Sequence, residues 1–118
     1  MEDCIFCKIA AGEIPAKKVY EDNEVMAFHD LEPQAPVHVL IIPKKHYASI
    51  LDIEADGNNA HLAPMNHMAM VAQDIARKLG VAESGFRLVI NTGKDGGQSV
   101  PHLHMHLLGG RPFGWPAG

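Results

Sequence analysis

His102-Leu103-His104-Met105-His106-Leu107-Leu108 places three histidines in strict alternation with apolar residues. An alternating pattern has the period of a β-strand, whose successive side chains point to opposite faces of the sheet. The three imidazoles are therefore predicted on one face, and Leu103, Met105 and Leu107 on the other face, in the core. A neutral imidazole is a base, nucleophile or ligand near pH 7, because its unperturbed pKa is about 6.5. This stretch predicts the centre of a functional site.

The overall composition predicts one soluble domain over residues 1–118. The chain has 118 residues, of which 47% are hydrophobic, which is enough for one core. The net charge of −4, with no Lys/Arg cluster longer than a pair, argues against bulk nucleic acid and membrane surfaces as partners. The longest apolar run, residues 37–43, is far too short to span a bilayer. The acidic start at residues 1–4 has no apolar segment, which predicts no signal peptide and a cytoplasmic location.

The pattern of elements predicts an α+β domain with a roughly five-stranded antiparallel sheet, one long helix and a short N-terminal helix. The short helix is expected over residues 4–11, with Asp3 as its cap and Gly12 at its end. The long helix is expected over roughly residues 60–79, starting close to Leu62 and stopping at Gly80. Strands are expected over residues 19–21, 25–29, 37–42, 86–91 and 102–108.

A glycine-rich loop, residues 92–101, comes directly before the histidine strand. Its glycines allow backbone N–H groups to approach an anion closely; they are Gly93, Gly96 and Gly97. Asn91, Gln98 and Ser99 add hydrogen-bonding side chains beside the histidines. Residues four apart on a strand are about 13 Å apart, so the three histidines cannot share one metal. The middle one, His104, is best placed for nucleophilic attack on phosphorus, with polar donors holding the oxygens.

These residues resemble the signature of the histidine triad superfamily. The chain looks most like the branch of histidine triad nucleotide-binding proteins, which are purine nucleoside phosphoramidases. The similarity extends through Cys4-Ile5-Phe6-Cys7-Lys8-Ile9, Phe28-His29-Asp30-Leu31, Gln34-Ala35-Pro36, His38, Pro43-Lys44-Lys45-His46, Gly96-Gly97-Gln98-Ser99-Val100 and Trp115-Pro116. One departure is Pro101, where this branch often has a larger residue, and it makes the substrate preference harder to transfer.

The resemblance implies a catalytic group of His104, His106 and His38. His104 would attack the α-phosphorus of a nucleoside 5′-phosphoramidate, expel the amine, and form a covalent nucleotidyl-histidine that water hydrolyses. His106 would contact the phosphate. His38 would support the triad from behind, or would simply be a satisfied, half-buried strand histidine. No organic cofactor is expected.

The resemblance also implies a binding site for purine nucleoside monophosphate derivatives. Asn91 and Ser99 would contact the phosphate, and Asp30 would accept hydrogen bonds from the ribose hydroxyls. His29 would line the pocket or face solvent. The apolar slot for the base would be formed by Phe6, Ile9, Ile14, Phe28 and Leu31, although Phe6, Ile9, Phe28 and Leu31 are equally typical of a plain core.

Cys4 and Cys7 have the two-residue spacing of half a zinc site. A redox pair normally follows a strand in a βαβ unit, and two buried structural thiols are the third alternative. The resemblance favours structural zinc, since some bacterial relatives with this Cys-Ile-Phe-Cys opening bind zinc through both cysteines and two histidines. Those histidines correspond to His46 and His102. His61 and His67, which lie on the predicted long helix, are expected to face solvent.

The resemblance further implies a homodimer that joins two sheets through the long helix and an edge strand. The tail, residues 111–118, would reach the partner's active site, with Trp115 as a specificity contact; otherwise the tail is simply mobile. Three other functions stay open. The alternatives are a dinucleoside polyphosphate hydrolase, a nucleotide-binding regulatory module with incidental hydrolysis, and a purely structural zinc protein.

Overall fold

The computed structural model describes residues 3–53 and 63–118. In these ranges five strands form one antiparallel sheet in the order β1-β2-β3-β5-β4. The strands are β1 (Lys18–Glu21), β2 (Val25–His29), β3 (Val37–Pro43), β4 (Phe86–Val89) and β5 (Met105–Gly109). The helices are α1 (Ile5–Ala10) and α2 (Ala63–Lys78), with a 3-10 turn over Ile50–Asp52. The predicted α+β class is confirmed. No helix in the described ranges is long and apolar enough to cross a membrane.

The central strand β3 separates two apolar layers. Its six residues after Val37 are all buried, which explains why it reads as a continuous apolar run rather than an alternating one. Val39 and Ile41 pack on one face with α2, whose buried residues are Met68, Val71, Ala72, Ile75 and Ala76. Leu40 and Ile42 pack on the other face with α1 and β2. The sheet therefore has a helix-covered face and a second face that is only partly covered.

Strand β5 is shorter than the sequence predicts. The prediction of a strand over residues 102–108 is wrong at its start, because Leu103 N–H donates to the carbonyl of Tyr47 (2.6 Å) and not to a sheet neighbour. The alternation nevertheless holds, since Leu103, Met105 and Leu107 all pack in the α2 layer. In the ladder His106 pairs with Leu40, so it lies on the opposite, partly covered face.

The ends of the helices show one error in the prediction. Cys4, not Asp3, caps α1: its backbone is extended and its Sγ accepts from Cys7 N–H at 3.3 Å. Gly12 follows the helix with φ of +80°, and Gly80 follows α2 with φ of +77°, as expected for residues that end helices. The expected start of the long helix and His61 lie outside the described residues.

His67 joins α2 to the turn between β1 and β2, so the prediction that it faces solvent is wrong. Its Nε2 lies 2.6 Å from Oδ2 of Asp22. Asp22 also accepts from the Tyr20 hydroxyl and from the backbone N–H groups of Glu24 and Val25. Partial burial raises the pKa of Asp22, but these four hydrogen bonds together hold it well below its ordinary value. Asp22 is therefore the hub that ties the turn to the helix.

Replacing Asp22 with Asn should destabilise the fold by about 1–3 kcal/mol, because an amide cannot accept from all four donors. The matched control is Asp74→Asn, which removes an exposed carboxylate that lies 3.5 Å from Arg77. The free energy of unfolding in urea at pH 7 measures both. Equal stability of the two variants would contradict the role given to Asp22.

Candidate active site

The orientation of the His104 ring is fixed by its own chain. Its Nδ1 lies 2.7 Å from the backbone carbonyl oxygen of His102. A carbonyl only accepts, so Nδ1 carries the proton and Nε2 keeps a free lone pair. The ring is buried, and the edge-on ring of Phe6 packs against it with centroids 5.1 Å apart. His104 therefore offers one nucleophilic nitrogen in a fixed position.

A second chain of hydrogen bonds fixes the proton on His106. The backbone N–H of Gln34 donates to Nδ1 of His38 at 3.0 Å, so the proton of a neutral His38 is on Nε2. That Nε2 lies 2.9 Å from Nδ1 of His106 and 3.5 Å from Oδ2 of Asp30. His106 Nδ1 is then an acceptor, and its own proton is on Nε2. His106 is thus set as a neutral hydrogen-bond donor.

The titration of these imidazoles favours the neutral forms. Burial lowers the pKa of His106 to about 4, helped by repulsion from His104 and His38 and opposed by Asp30. Burial also lowers the pKa of His38, again opposed by Asp30. His104 and His106 have ring centroids only 5.0 Å apart, a separation at which two positive charges repel strongly. His38 and His106 are therefore neutral at pH 7.

These histidines open onto a cavity of about 570 Å³, which is the size of a site for a small ligand. Most of the predicted binding residues line it together with the three catalytic candidates His38, His104 and His106; they are Phe6, Ile9, Phe28, His29, Asp30, Leu31 and Ser99. A smaller cavity of about 210 Å³ beside His67 contains none of the triad histidines. The larger cavity is the candidate active site.

Four predicted binding residues are absent from this lining within the described part of the chain. Ile14 packs behind the wall, in the apolar layer of Phe6 and Phe28. Asn91 lies two residues beyond the end of β4. Trp115, in the tail, is 86% exposed.

Gln98, the fourth of these residues, closes its own loop. Its Oε1 accepts from Gly93 N–H, and its Nε2 donates to the carbonyls of Ala48 and Val100. Both N–H donors of the amide are therefore engaged within the chain, which gives Gln98 a role in holding its loop, and its contact with substrate stays a prediction.

The glycine-rich loop also serves its own fold. Gly93 N–H is held by Gln98, and Gly97 N–H donates to the carbonyl of Lys94 at 3.1 Å. Gly93 has a φ of +70° and Gly97 a φ of +75°, which explains why both positions are glycine. A Cβ on Gly96 would overlap the carbonyl oxygen of Thr92. The N–H groups of Gly93 and Gly97 are therefore used within the loop, and the expectation that other backbone N–H groups of this loop approach an anion stays a prediction.

A thiol–imidazole cluster lies at the other end of the triad and consists of Cys4, Cys7, His46 and His102. One ligand atom from each residue lies within 4.8 Å of the others. His102 Nδ1 is 3.2 Å from Cys4 Sγ, 3.5 Å from Cys7 Sγ and 3.2 Å from His46 Nδ1. The ligands of a tetrahedral zinc ion are roughly 3.3–3.8 Å apart, given its bond lengths. The cluster could therefore bind a metal ion.

The ring of His102 is set for such a role. Its Nε2 lies 2.8 Å from the carbonyl oxygen of Pro43, so Nε2 carries the proton and Nδ1 keeps its lone pair toward the sulfurs. Burial lowers the pKa of His102, and burial also raises the pKa of the Cys7 thiol. Both cysteines are free. The same residue thus contributes its ring to this cluster and its carbonyl to His104.

Sequence reasoning missed the backbone groups that orient these rings. The N–H of Gln34, the carbonyl of Pro43 and the carbonyl of His102 have no side-chain signature. Gln34 and Pro43 do stand in stretches that carry the family resemblance, and this is the only signal that pointed to them. Among side chains, Lys17 and Glu32 also line the cavity and were not predicted.

Comparison with known proteins agrees with this arrangement. Residues 11–113 match the model of the HIT domain. A purine nucleoside phosphoramidase from Escherichia coli is 49% identical over 113 residues, covering 96% of this chain and 92% of the relative. A histidine triad protein from Clostridium difficile superposes with a TM-score of 0.90 and 49% identity, covering 97% of this chain and 96% of that one. A HIT family hydrolase from Legionella pneumophila gives 0.89 and 49%, covering 98% and 100%.

The fold and the site therefore define a protein of the histidine triad type. The chain belongs to the HIT family, as its resemblance predicted. Hydrolases are among its similar relatives.

Replacing His106 with Gln should flatten the acid dependence of stability. A folded-state pKa of about 4 against an unfolded value near 6.5 means that the unfolded chain takes up a proton first as the pH falls. Stability should therefore be constant in this respect above about pH 6.5 and decline toward pH 4. Urea unfolding between pH 7 and 5 should show a shallower decline in H106Q, by less than one proton per molecule. Identical slopes would contradict the neutral state assigned to His106.

Proposed function

We propose that the protein hydrolyses the P–N bond of purine nucleoside 5′-phosphoramidates through a covalent nucleotidyl-histidine. The observation that carries the proposal is the pairing of a free Nε2 on His104 with an N–H donor on His106 at one cavity. The name of the similar Escherichia coli protein supports the substrate class. The cavity offers an apolar end at Phe6 and Phe28 for a base.

In the first step, Nε2 of His104 attacks the α-phosphorus and the P–N bond breaks. The departing nitrogen takes a proton from solvent and leaves as an amine. The new Nε2–P bond makes the ring an imidazolium whose Nδ1–H donates to the His102 carbonyl, so the developing charge meets a prepositioned acceptor. Nε2–H of His106 donates to a non-bridging oxygen, because its Nδ1 already accepts from His38.

In the second step, water attacks the phosphorus and the Nε2–P bond breaks. The nucleoside monophosphate leaves, His104 returns as a neutral imidazole, and the proton of the water passes to solvent. Asp30 lines the same cavity and keeps acceptor capacity for the ribose hydroxyls, since Oδ1 accepts from Glu32 N–H at 2.8 Å and Oδ2 lies as far as 3.5 Å from His38 Nε2. The net reaction consumes one phosphoramidate and one water, and yields one amine and one nucleotide.

Replacing His104 with Ala should lower turnover of an adenosine 5′-phosphoramidate by several orders of magnitude, because the nucleophile is lost. Nucleotide binding, measured by calorimetry with the nucleoside monophosphate, should persist. The same assay with a diadenosine polyphosphate distinguishes the alternative hydrolase. Faster turnover of the polyphosphate, or equal turnover by H104A, would contradict the proposal. A cellular role that persists in H104A although its turnover is lost would favour a regulatory binding module.

We also propose that the thiol–imidazole cluster holds a structural zinc ion. Two thiols and two imidazole nitrogens are a donor set that zinc prefers, and their separations suit tetrahedral coordination. When bound, zinc would cross-link α1 to the segment before β5, and it supplies no reactive group. Both cysteines being free suits a reducing compartment, and we propose that the protein acts in the cytoplasm.

Replacing His46 with Asn should reduce bound zinc from about one ion per chain to near zero and lower the melting temperature. Metal analysis of the purified protein and thermal unfolding measure both effects. The control is His67→Asn, a histidine outside the cluster, which should keep its zinc. Wild-type protein that is fully stable without zinc would refute the metal assignment and leave the catalytic one intact.

A homodimer through the edge of the sheet completes the proposal. Strand β4 is an edge strand of the described sheet, with Leu88 exposed on it, and Met70 is exposed on α2. An unpaired edge with apolar side chains is suited to pairing with a second copy. In such a dimer the exposed Trp115 would contact substrate in the partner's cavity.

A further inference from the structure

The first residue of the tail makes an unusually directed contact with its own chain. Arg111 donates from Nε (3.2 Å) and Nη2 (3.0 Å) to a single oxygen, the carbonyl of Gln34. Its Nη1 donates to the carbonyl of Pro112, and its guanidinium lies 4.3 Å from the ring centroid of Phe113. Three hydrogen bonds from its nitrogens and the Phe113 ring on one face therefore fix the orientation of the guanidinium.

Gln34 is the residue whose N–H determines the protons of the catalytic imidazoles. Its N–H donates to His38 Nδ1, while its carbonyl accepts from Arg111. Pro33 precedes it, and the loop is closed by the Asp30 N–H on the carbonyl of His38 (3.0 Å). Gln34 therefore donates its backbone N–H to His38 and accepts, through its carbonyl, from the tail residue Arg111.

We propose that Arg111 is a positioning residue, which keeps the Gln34 N–H on His38 Nδ1 and thereby keeps the proton of His106 on Nε2. The catalytic consequence rests on the proposed function, since a donor at His106 Nε2 matters only when a phosphate lies in the cavity. The structural part, the proton arrangement of His38 and His106, does not depend on the substrate.

The reason lies in the two tautomers of the pair. Without the Gln34 N–H, His38 can carry its proton on Nδ1 and present a lone pair to His106. His106 must then carry its own proton on Nδ1, which leaves a lone pair on Nε2 toward the cavity. A lone pair repels phosphate oxygens where an N–H binds them. Asp30 Oδ2, 3.5 Å from His38 Nε2, favours the tautomer of His38 that carries its proton on Nε2. It is too distant to enforce this tautomer alone.

The test compares wild type with Arg111→Ala and Arg111→Lys. Long-range ¹H–¹⁵N spectra of the histidine rings report which nitrogen carries each proton, with no substrate present. Weakening one hydrogen bond should change the tautomer ratio by about two- to tenfold, and kcat should fall in proportion to the lost fraction of the tautomer that has its proton on His106 Nε2, with KM changed less. The pKa of His38 should rise, because the Gln34 N–H favours the neutral ring. Lysine keeps the charge but lacks the planar pair of donors, so it should restore little.

Two arginine variants serve as controls. Arg77→Ala removes an equal charge from α2, where Arg77 faces Asp74 at 3.5 Å, and should leave kcat unchanged. Arg87→Ala removes the tail contacts at Gly114 and Phe113 without touching Gln34, and should leave both tautomers unchanged. Thermal unfolding verifies that each variant is folded.

The outcomes separate this inference from the proposed function. Unchanged tautomers and unchanged kcat in both Arg111 variants would overturn the inference. So would full rescue by lysine, which would make the effect one of charge, or an equal shift in R87A, which would place it in tail order generally. Altered tautomers in a protein with no phosphoramidase activity would uphold the positioning role and refute the proposed function.

Discussion

Backbone groups fix the proton on every triad ring. The His104 ring is held by the backbone carbonyl of His102, and the His102 ring by the carbonyl of Pro43. The proton of His106 is set indirectly, by the N–H of Gln34 acting through His38. An imidazole has two chemically different nitrogens, and the hydrogen bond on one decides what the other can do. The three rings of one short sequence pattern therefore differ in what they present: His102 a lone pair toward the cysteines, His104 a lone pair on Nε2, and His106 an N–H on Nε2.

His102 couples two parts of the molecule that would otherwise be independent. Its ring belongs to the thiol–imidazole cluster, and its carbonyl orients His104. The cluster also includes Cys4, whose sulfur caps α1, and Phe6 on that helix packs edge-on against His104. Displacement of α1 would therefore disturb the nucleophile from two directions, through the carbonyl that holds it and through the ring that covers it.

The parts of the fold that depend on periodicity could be predicted from the sequence. The alternation of residues 102–108 predicted which side chains face the core, and this holds although His102–His104 do not pair in the sheet, because an extended chain alternates with or without a partner strand. The residue at which β5 starts could not be predicted, since it depends on a carbonyl of Tyr47, more than fifty residues away in the sequence. For the same reason His67, on a helix that reads as amphipathic, has a partner in Asp22 that no local pattern indicates.

For the site, residue type predicted which atoms are available but not how they are used. Gln98 has the donors that a phosphate needs, yet its loop requires all of them, and Gly93 and Gly97 serve a turn rather than an anion. Gln34, in contrast, acts through its backbone, and any residue except proline at this position would offer the same N–H.

The lowered pKa of His106 follows first from burial and then from the closeness of other histidine rings, which the alternating pattern imposes. Rings on alternate residues lie about 5 Å apart, so at most one of them can carry a positive charge at low cost. In the proposed reaction that charge is needed on His104, after phosphorus has bonded to it. Burial and the hydrogen bond from His38 keep His106 neutral, so it can donate to the phosphate without competing for the charge. The close spacing of the histidines therefore has a consequence for the proposed reaction. Repulsion disfavours a second positive charge beside His104, so the positive charge can develop on His104 while His106 stays neutral.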